Sequence, residues 1–191
     1  MKTIFLLVSA LFFSTGVFAT ASTHSVSKNA ESPYKGQQLR NIKALSQKDI
    51  DGYLSGKGMG FAKAAELNHY PGPRHVLDIS EKLKLSDKQL KQTQSLFNKM
   101  QANAITLGKQ LIEHEQKLDQ LFAQGSVDKN LLEVTLQDIG SIQAKLRNVH
   151  LRTHLEQKEL LTKHQIMMYD RIRGYGAGGS LDMNKSHNHT H

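Results

Sequence analysis

Ten histidines and no cysteine set the coordination chemistry open to this 191-residue chain. His150 and His154 stand four residues apart, so on one helix their rings share a face and can grip a single Zn, Ni, Co or Cu ion. Two ligands are a weak set, and a carboxylate, a methionine or a symmetry-related histidine has to complete it. In an antiparallel pair of helices Met100 falls near the level of His150, and Met167 and Met168 can return nearby. His187, His189 and His191 alternate near the C-terminus and offer loose capture of the same metals. His114 lies between Glu113 and Glu115, but position 118 is Leu, so the HExxH of a zinc protease is missing and His114 reads as a hydrogen-bonded core residue. The glycines of Gly56-Lys57-Gly58-Met59-Gly60 fit neither GxGxxG nor GxxxxGK[ST] and read as a turn. With no thiol, no nucleophile–base pair and no paired carboxylates in a predicted cleft, catalysis is not expected and no cofactor is required.

Whatever these groups do must be positioned by helices. The chain is 38% hydrophobic but only 6% aromatic, and it lacks the Val/Ile/Tyr runs of a β-sandwich. Its core should be thin and built from Leu, Ile and Met. A formal charge of +8 permits acidic partners. Nucleic acid is not expected, because no Arg-rich helix accompanies that charge. Residues 1–21 read as a secretory signal: Lys2, an apolar run from Ile4 to Phe18, then small residues that allow cleavage after Ala19 or Ala21. Export to the periplasm, with no stable membrane insertion after cleavage, follows as an expectation. Cleavage after Ala21 would leave Ser22-Thr23-His24, whose amine, backbone nitrogens and imidazole suit square-planar Cu(II) or Ni(II).

Residues 22–45 are polar and expected to be a disordered linker. Ser46 can cap a short helix to Leu54 with Asp49 at its third position, and Phe61–Leu67 reads as another short helix. Tyr70-Pro71-Gly72-Pro73 is a stop, followed by helical spacing over Arg74–Lys84. Beyond Ser86 the pattern strengthens. Leu90, Phe97, Ala104, Leu111 and Leu118 recur every seven residues, with Thr93, Met100, Leu107, His114 and Leu121 three positions on. One helix from Asp87 to Gln124 would be about 57 Å long. Gly125 ends it, Ser126 is placed to cap its successor, and a second heptad series carries Leu132, Ile139, Leu146, Thr153 and Leu160 with Thr135, Ile142 and Val149. Such a pair, joined by a two-residue turn, folds back as an antiparallel hairpin. The fold class is therefore all-α: a long helical hairpin with short flanking helices in a domain over 46–173. A Gly/His-rich tail over 174–191 is expected to be flexible.

Two short segments repeat. Leu85-Ser86-Asp87-Lys88-Gln89 opens the first long helix and Leu161-Thr162-Lys163-His164-Gln165 opens the last one. Both read Leu-[Ser/Thr]-x-x-Gln, a capping box preceded by an apolar staple. Two such boxes flanking a helical hairpin resemble the Spy/CpxP family of periplasmic proteins, named for LTxxQ repeats, and its metal-linked relatives of the ZraP and CnrX type. The resemblance covers about residues 74–173, with Ser86 where the family usually has Thr. It implies a curved hairpin that pairs into a cradle-like homodimer, ATP-independent binding of unfolded envelope proteins, and in some members contact with a membrane stress sensor or metal binding.

The residues add their own reason to expect a partner. Ile105 and Ile112 on the first long helix, and Leu136, Leu151 and Leu155 on the second, lie off the predicted seam. Each is worth roughly 1.5–3 kcal/mol when buried, so they call for the N-terminal helices, a second copy or a client. Lys145, Arg147, Arg152 and Lys158 nearby would steer acidic or unfolded chains. The leading expectation is an ATP-independent chaperone of envelope stress, and the competing one is a metal sensor or resistance accessory using His150 and His154.

Overall fold

A capping side chain explains where each longer helix begins. In the computed structural model, which describes residues 32–175, helix α1 (Gln47–Leu54) starts at a reciprocal box: Ser46 accepts from the Asp49 amide, and Asp49 accepts from the Ser46 amide at 3.0 Å. Two short helices follow, α2 (Lys63–Glu66) and α3 (Pro73–Asp78), the latter with Pro at its first position, where no amide donor is needed. Helix α4 (Asp87–Ala123) begins at the Ser86–Gln89 box and ends before Gly125, whose φ of 64° is the left-handed conformation that glycine adopts cheaply. Helix α5 (Lys129–Leu160) is capped by Asp128, which accepts from the Leu131 amide at 2.8 Å, and not by Ser126. The turn therefore spans five residues, Gln124–Asp128, where two were expected. Helix α6 (Lys163–Arg173) begins at the Thr162–Gln165 box.

The all-α hairpin reading holds. Helices α4 and α5 pack along their length, and the seam carries the expected heptad residues: Met100, Ala104, Leu111, Ile139, Ile142 and Leu146 are buried, with Phe97, Leu107, Leu118 and Val149 packed around them. Leu90 is the exception and is exposed. Thr135 and Thr153 fit the seam because each hydroxyl donates to the carbonyl four residues back at 2.7 Å, leaving no open donor. A second cluster of Val76, Leu83, Leu161 and Tyr169 joins α3 and α6 at the base of the hairpin.

The two boxes do more than cap. Gln89 Nε2 donates to Gln165 Oε1 at 2.9 Å and to the Leu160 carbonyl at 2.8 Å, while Gln165 Nε2 donates to Gln89 Oε1 at 3.1 Å and to the Leu83 carbonyl at 3.2 Å. The starts of α4 and α6 are thereby joined by a reciprocal amide pair. Buried amides left unbonded would cost about 1–3 kcal/mol each, so this pair also dictates how the ends meet.

Two expectations need correction. Residues 36–45, within the supposed disordered linker, form a 3₁₀ turn over Gln37–Leu39 and bury Ile42 and Leu45; Lys43 donates from its amide and its ammonium to Asp119 on α4 at 3.0 and 3.1 Å. Ile42, four positions before the capping serine, and Leu45, immediately before it, gave that segment something to bury. Helix α3 stops at Asp78 rather than reaching Lys84: Ile79 leaves helical geometry at φ −123° and ψ 22°, and the turns that follow end at Lys84, whose φ is +50°. From Gly36 onward the described chain is one compact unit, with α1 crossing α4 at Gly108; a Cβ there would lie 2.6 Å from the Tyr53 carbonyl oxygen. Among the described residues no helix is long and apolar enough to cross a membrane. The signal at 1–21, His24, and the tail histidines His187, His189 and His191 lie outside the described residues.

Candidate functional site

His150 and His154 point off the hairpin seam on a side that α5 alone would leave in water. Instead both are buried, His150 with 4% of its surface exposed. What covers them is the segment between α1 and α3. Phe61 stacks on the His150 ring at 5.8 Å between centroids and 13° between planes, and the Tyr70 carbonyl lies 2.7 Å from His154 Nδ1. The turn through Gly56, Gly58 and Gly60 lets the backbone come close to α4: a Cβ on Gly56 would lie 3.0 Å from the Gln101 carbonyl oxygen and 3.2 Å from Ile105.

Between this segment and the two long helices is a cavity of about 500 Å³. Its walls include Met59, Phe97 and Met100, both imidazoles, and Glu66, while Lys57, Lys63 and Arg74 stand at its exposed margin. Met100 and His150, expected near one level of the hairpin, both line this cavity. Met167 and Met168 do not reach it: Met167 is exposed and Met168 packs in the basal cluster.

The electrostatics of the cavity follow from its bonding. A carbonyl can only accept, so His154 donates from Nδ1 to Tyr70 and turns its Nε2 edge away from that bond. Burial pushes the His150 imidazole down to about 4, and the neighbouring His154 adds to that shift, so His150 is neutral. Its Nε2 is buried with no hydrogen-bond partner. Glu66 Oε1 accepts from the Tyr169 hydroxyl at 2.6 Å and the Tyr175 hydroxyl at 3.2 Å, with Arg173 Nε 3.6 Å away. Burial, and the hydrogen bond to Glu66, push the Tyr169 phenol well above its ordinary range, so it stays a donor. Glu66 Oε2 is buried and makes no hydrogen bond, its nearest polar neighbour among the ion pairs being His154 Nδ1 at 3.7 Å.

Gly72 completes the geometry. A Cβ built on it would lie 2.9 Å from His154 Nε2 and 3.5 Å from Glu66 Oε2. The absence of a side chain therefore lets the backbone pass close to both groups. These donors suit a transition-metal ion: two imidazoles, one carboxylate oxygen without a hydrogen-bond partner, and two methionines in the same walls. Among the described residues, however, no three His, Asp or Glu side chains already converge on one point as a ready metal cluster.

The other predicted residues are distributed differently. Of the five off-seam apolar side chains, Leu136 and Leu155 are exposed at 49% and 52%, while Ile105, Ile112 and Leu151 are half-buried, Ile105 beneath the glycine turn. Two of the four basic residues are engaged, Arg152 with Glu156 at 2.8 Å and Lys158 with its ammonium 3.5 Å from the Tyr70 ring centroid. The six capping residues behave as read, with Leu85 and Leu161 in the basal cluster. His114 is half-buried, its Nδ1 3.9 Å from Asp138 and without a hydrogen bond, so the expected core bond is not made. Sequence reading missed Glu66, Tyr70 and Gly72. Their signal is the dense Gly/Pro punctuation on either side of a four-residue helix, which marks backbone held close to something else.

Comparison with family models, with curated proteins and with solved structures finds no match to this chain.

Proposed function

We propose that this is an exported helical protein whose working site is the cavity over His150 and His154, where it takes up a transition-metal ion of the Zn, Ni, Co or Cu class as a sensor or resistance accessory. One observation carries this reading: His150, 4% exposed, has a buried Nε2 without a hydrogen-bond partner and shares a cavity with a second imidazole and with the unbonded oxygen of Glu66. Buried polar atoms are almost always bonded, and two orphans in one cavity support a guest that bonds them. Glu66 would offset the guest's charge, while Tyr169, Tyr175 and Arg173 hold the carboxylate in place.

The test is isothermal titration of the purified protein with Zn, Ni, Co and Cu ions, His187, His189 and His191 having been changed to alanine. One equivalent should bind, and His150→Ala or His154→Ala should weaken it at least tenfold. No heat and no thermal stabilisation with any of the ions would refute the reading.

A second reading is favoured by the exposure of the apolar side chains Leu136 and Leu155 at separate points on α5. Such exposed apolar side chains suit an unfolded envelope protein held weakly without ATP, or a second copy of the chain in a homodimer. Suppression of client aggregation, abolished by the double change Leu136→Glu and Leu155→Glu, is the expected result. Aggregation that the purified protein leaves untouched would reject it.

A further inference from the structure

The cavity's walls also bear on which ion it takes. Zinc, nickel and cobalt favour four or more nitrogen, oxygen or thiolate donors, and a chain without cysteine must supply them from His, Asp and Glu. Among the described residues no three such groups converge. What the cavity brings instead are two thioethers, Met59 and Met100, in the same walls as His150 and His154. Thioether sulfur is a poor ligand for zinc and a good one for Cu(I), an ion satisfied by two or three soft donors. Phe61 and Phe97 line or close the same region, giving an apolar wall that disfavours the more strongly hydrated divalent ions.

We propose that the cavity's guest is a soft monovalent ion, Cu(I), held by His150, His154 and the thioethers of Met59 and Met100, with Glu66 as the nearby balancing charge. This rests on the reading of the cavity as a metal site and narrows it to one class of ion. It assigns a binding role to Met59, whose positive φ of 41° is unusual for a side chain of its size and whose thioether also covers Gly52 of α1.

The experiment uses the purified protein with His187, His189 and His191 changed to alanine, in ascorbate. Cu(I) is supplied as its bicinchoninate complex, and Zn(II), Ni(II) and Co(II) are titrated separately. One equivalent of Cu(I) should leave the chelator for the protein, and its X-ray absorption spectrum should contain sulfur scatterers. Met59→Leu and Met100→Leu preserve volume; each should lower Cu(I) affinity at least tenfold, and circular dichroism checks that the helices persist. A Cu(I) spectrum with nitrogen and oxygen only overturns the proposal even if a variant fails to fold. Tight one-to-one Zn(II) binding lost in His150→Ala, with no transfer of Cu(I), also overturns it while leaving the metal-site reading intact. Failure with every ion removes both.

Discussion

Changing Gly72 to alanine adds one methyl group where the cavity has no room for it. The backbone does not object: Gly72 has φ −87° and ψ 144°, a conformation open to any residue. The effect is therefore the methyl group's alone. Its carbon would meet His154 Cε1 at 2.8 Å and Nε2 at 2.9 Å, against roughly 3.5–4.0 Å for a relaxed contact. The ring must retreat by roughly 0.7 Å, and its bond from Nδ1 to the Tyr70 carbonyl, now 2.7 Å, must lengthen or break. Overpacking of this kind costs about 1–3 kcal/mol, and part of a net hydrogen-bond contribution of about 1 kcal/mol goes with it. A loss near 2 kcal/mol corresponds to a melting point lower by about 6 °C for a domain of this size. The same methyl group would crowd His154 Nε2 and come within 3.5 Å of Glu66 Oε2, so metal affinity should fall at least tenfold, more than the modest stability loss explains. Thermal melts followed by circular dichroism, with and without one equivalent of ion, read both effects. A variant that melts like the parent and binds like it would mean that His154 is not pinned between Gly72 and Tyr70.

Other changes test other joints. Gln165→Ala removes the cap of Thr162 and strands Gln89 and the Leu83 carbonyl, so it should cost about 3 kcal/mol in urea unfolding, against about 1 kcal/mol for Ser86→Ala. Equal losses would reject the reciprocal pair. Gly108→Ala puts a carbon 2.6 Å from the Tyr53 carbonyl oxygen and should destabilise by about 1–3 kcal/mol, even though alanine favours an isolated helix by about 1 kcal/mol; a stabilised variant would contradict the crossing of α1 over α4. For the metal-free protein, His150 titrates near 4 when folded and near 6.5 when unfolded, so the unfolded chain takes the proton first. Its contribution is complete above pH 6.5, declines as pH falls from 6.5 towards 4, and amounts to at most about 3 kcal/mol. Unfolding at pH 7.5 and 4.5 should show that loss in the parent and a correspondingly smaller one in His150→Leu; identical losses would refute it.

The hairpin was legible because its signals are local. Heptads from Leu90 to Leu160 and the Leu-[Ser/Thr]-x-x-Gln boxes depend on spacing within a helix, and nearly every seam residue is where its spacing puts it. Ser46 and Asp49 likewise announce α1. The cavity was only half legible. The four-residue interval of His150 and His154 is written in the sequence, but the partners that bury them come from 84 positions away at Tyr70, and no periodicity links those segments. Glu66 looks like an ordinary helix-surface acid beside Ala64 and Ala65, and only the return of α6 gives it Tyr169 as a partner. The amide pair of Gln89 and Gln165 was hidden for the same reason: each glutamine explains itself as a cap, and the second half of its bonding is tertiary. Ile42 and Leu45 were misread because two apolar residues in a polar stretch carry no period at all.

The clasp between Gln89 and Gln165 gives the molecule a stiff root, while the far end of the hairpin turns through the exposed residues Gln124, Gly125 and Ser126. Breathing should therefore start at the free end and travel inward, and amide hydrogens near Ala123 and Asn130 should exchange with heavy water long before those near Gln89 and Gln165. Because each glutamine holds the other, the amides at the two roots should be released together in a single subglobal event, as one unit made from segments more than seventy residues apart in the chain.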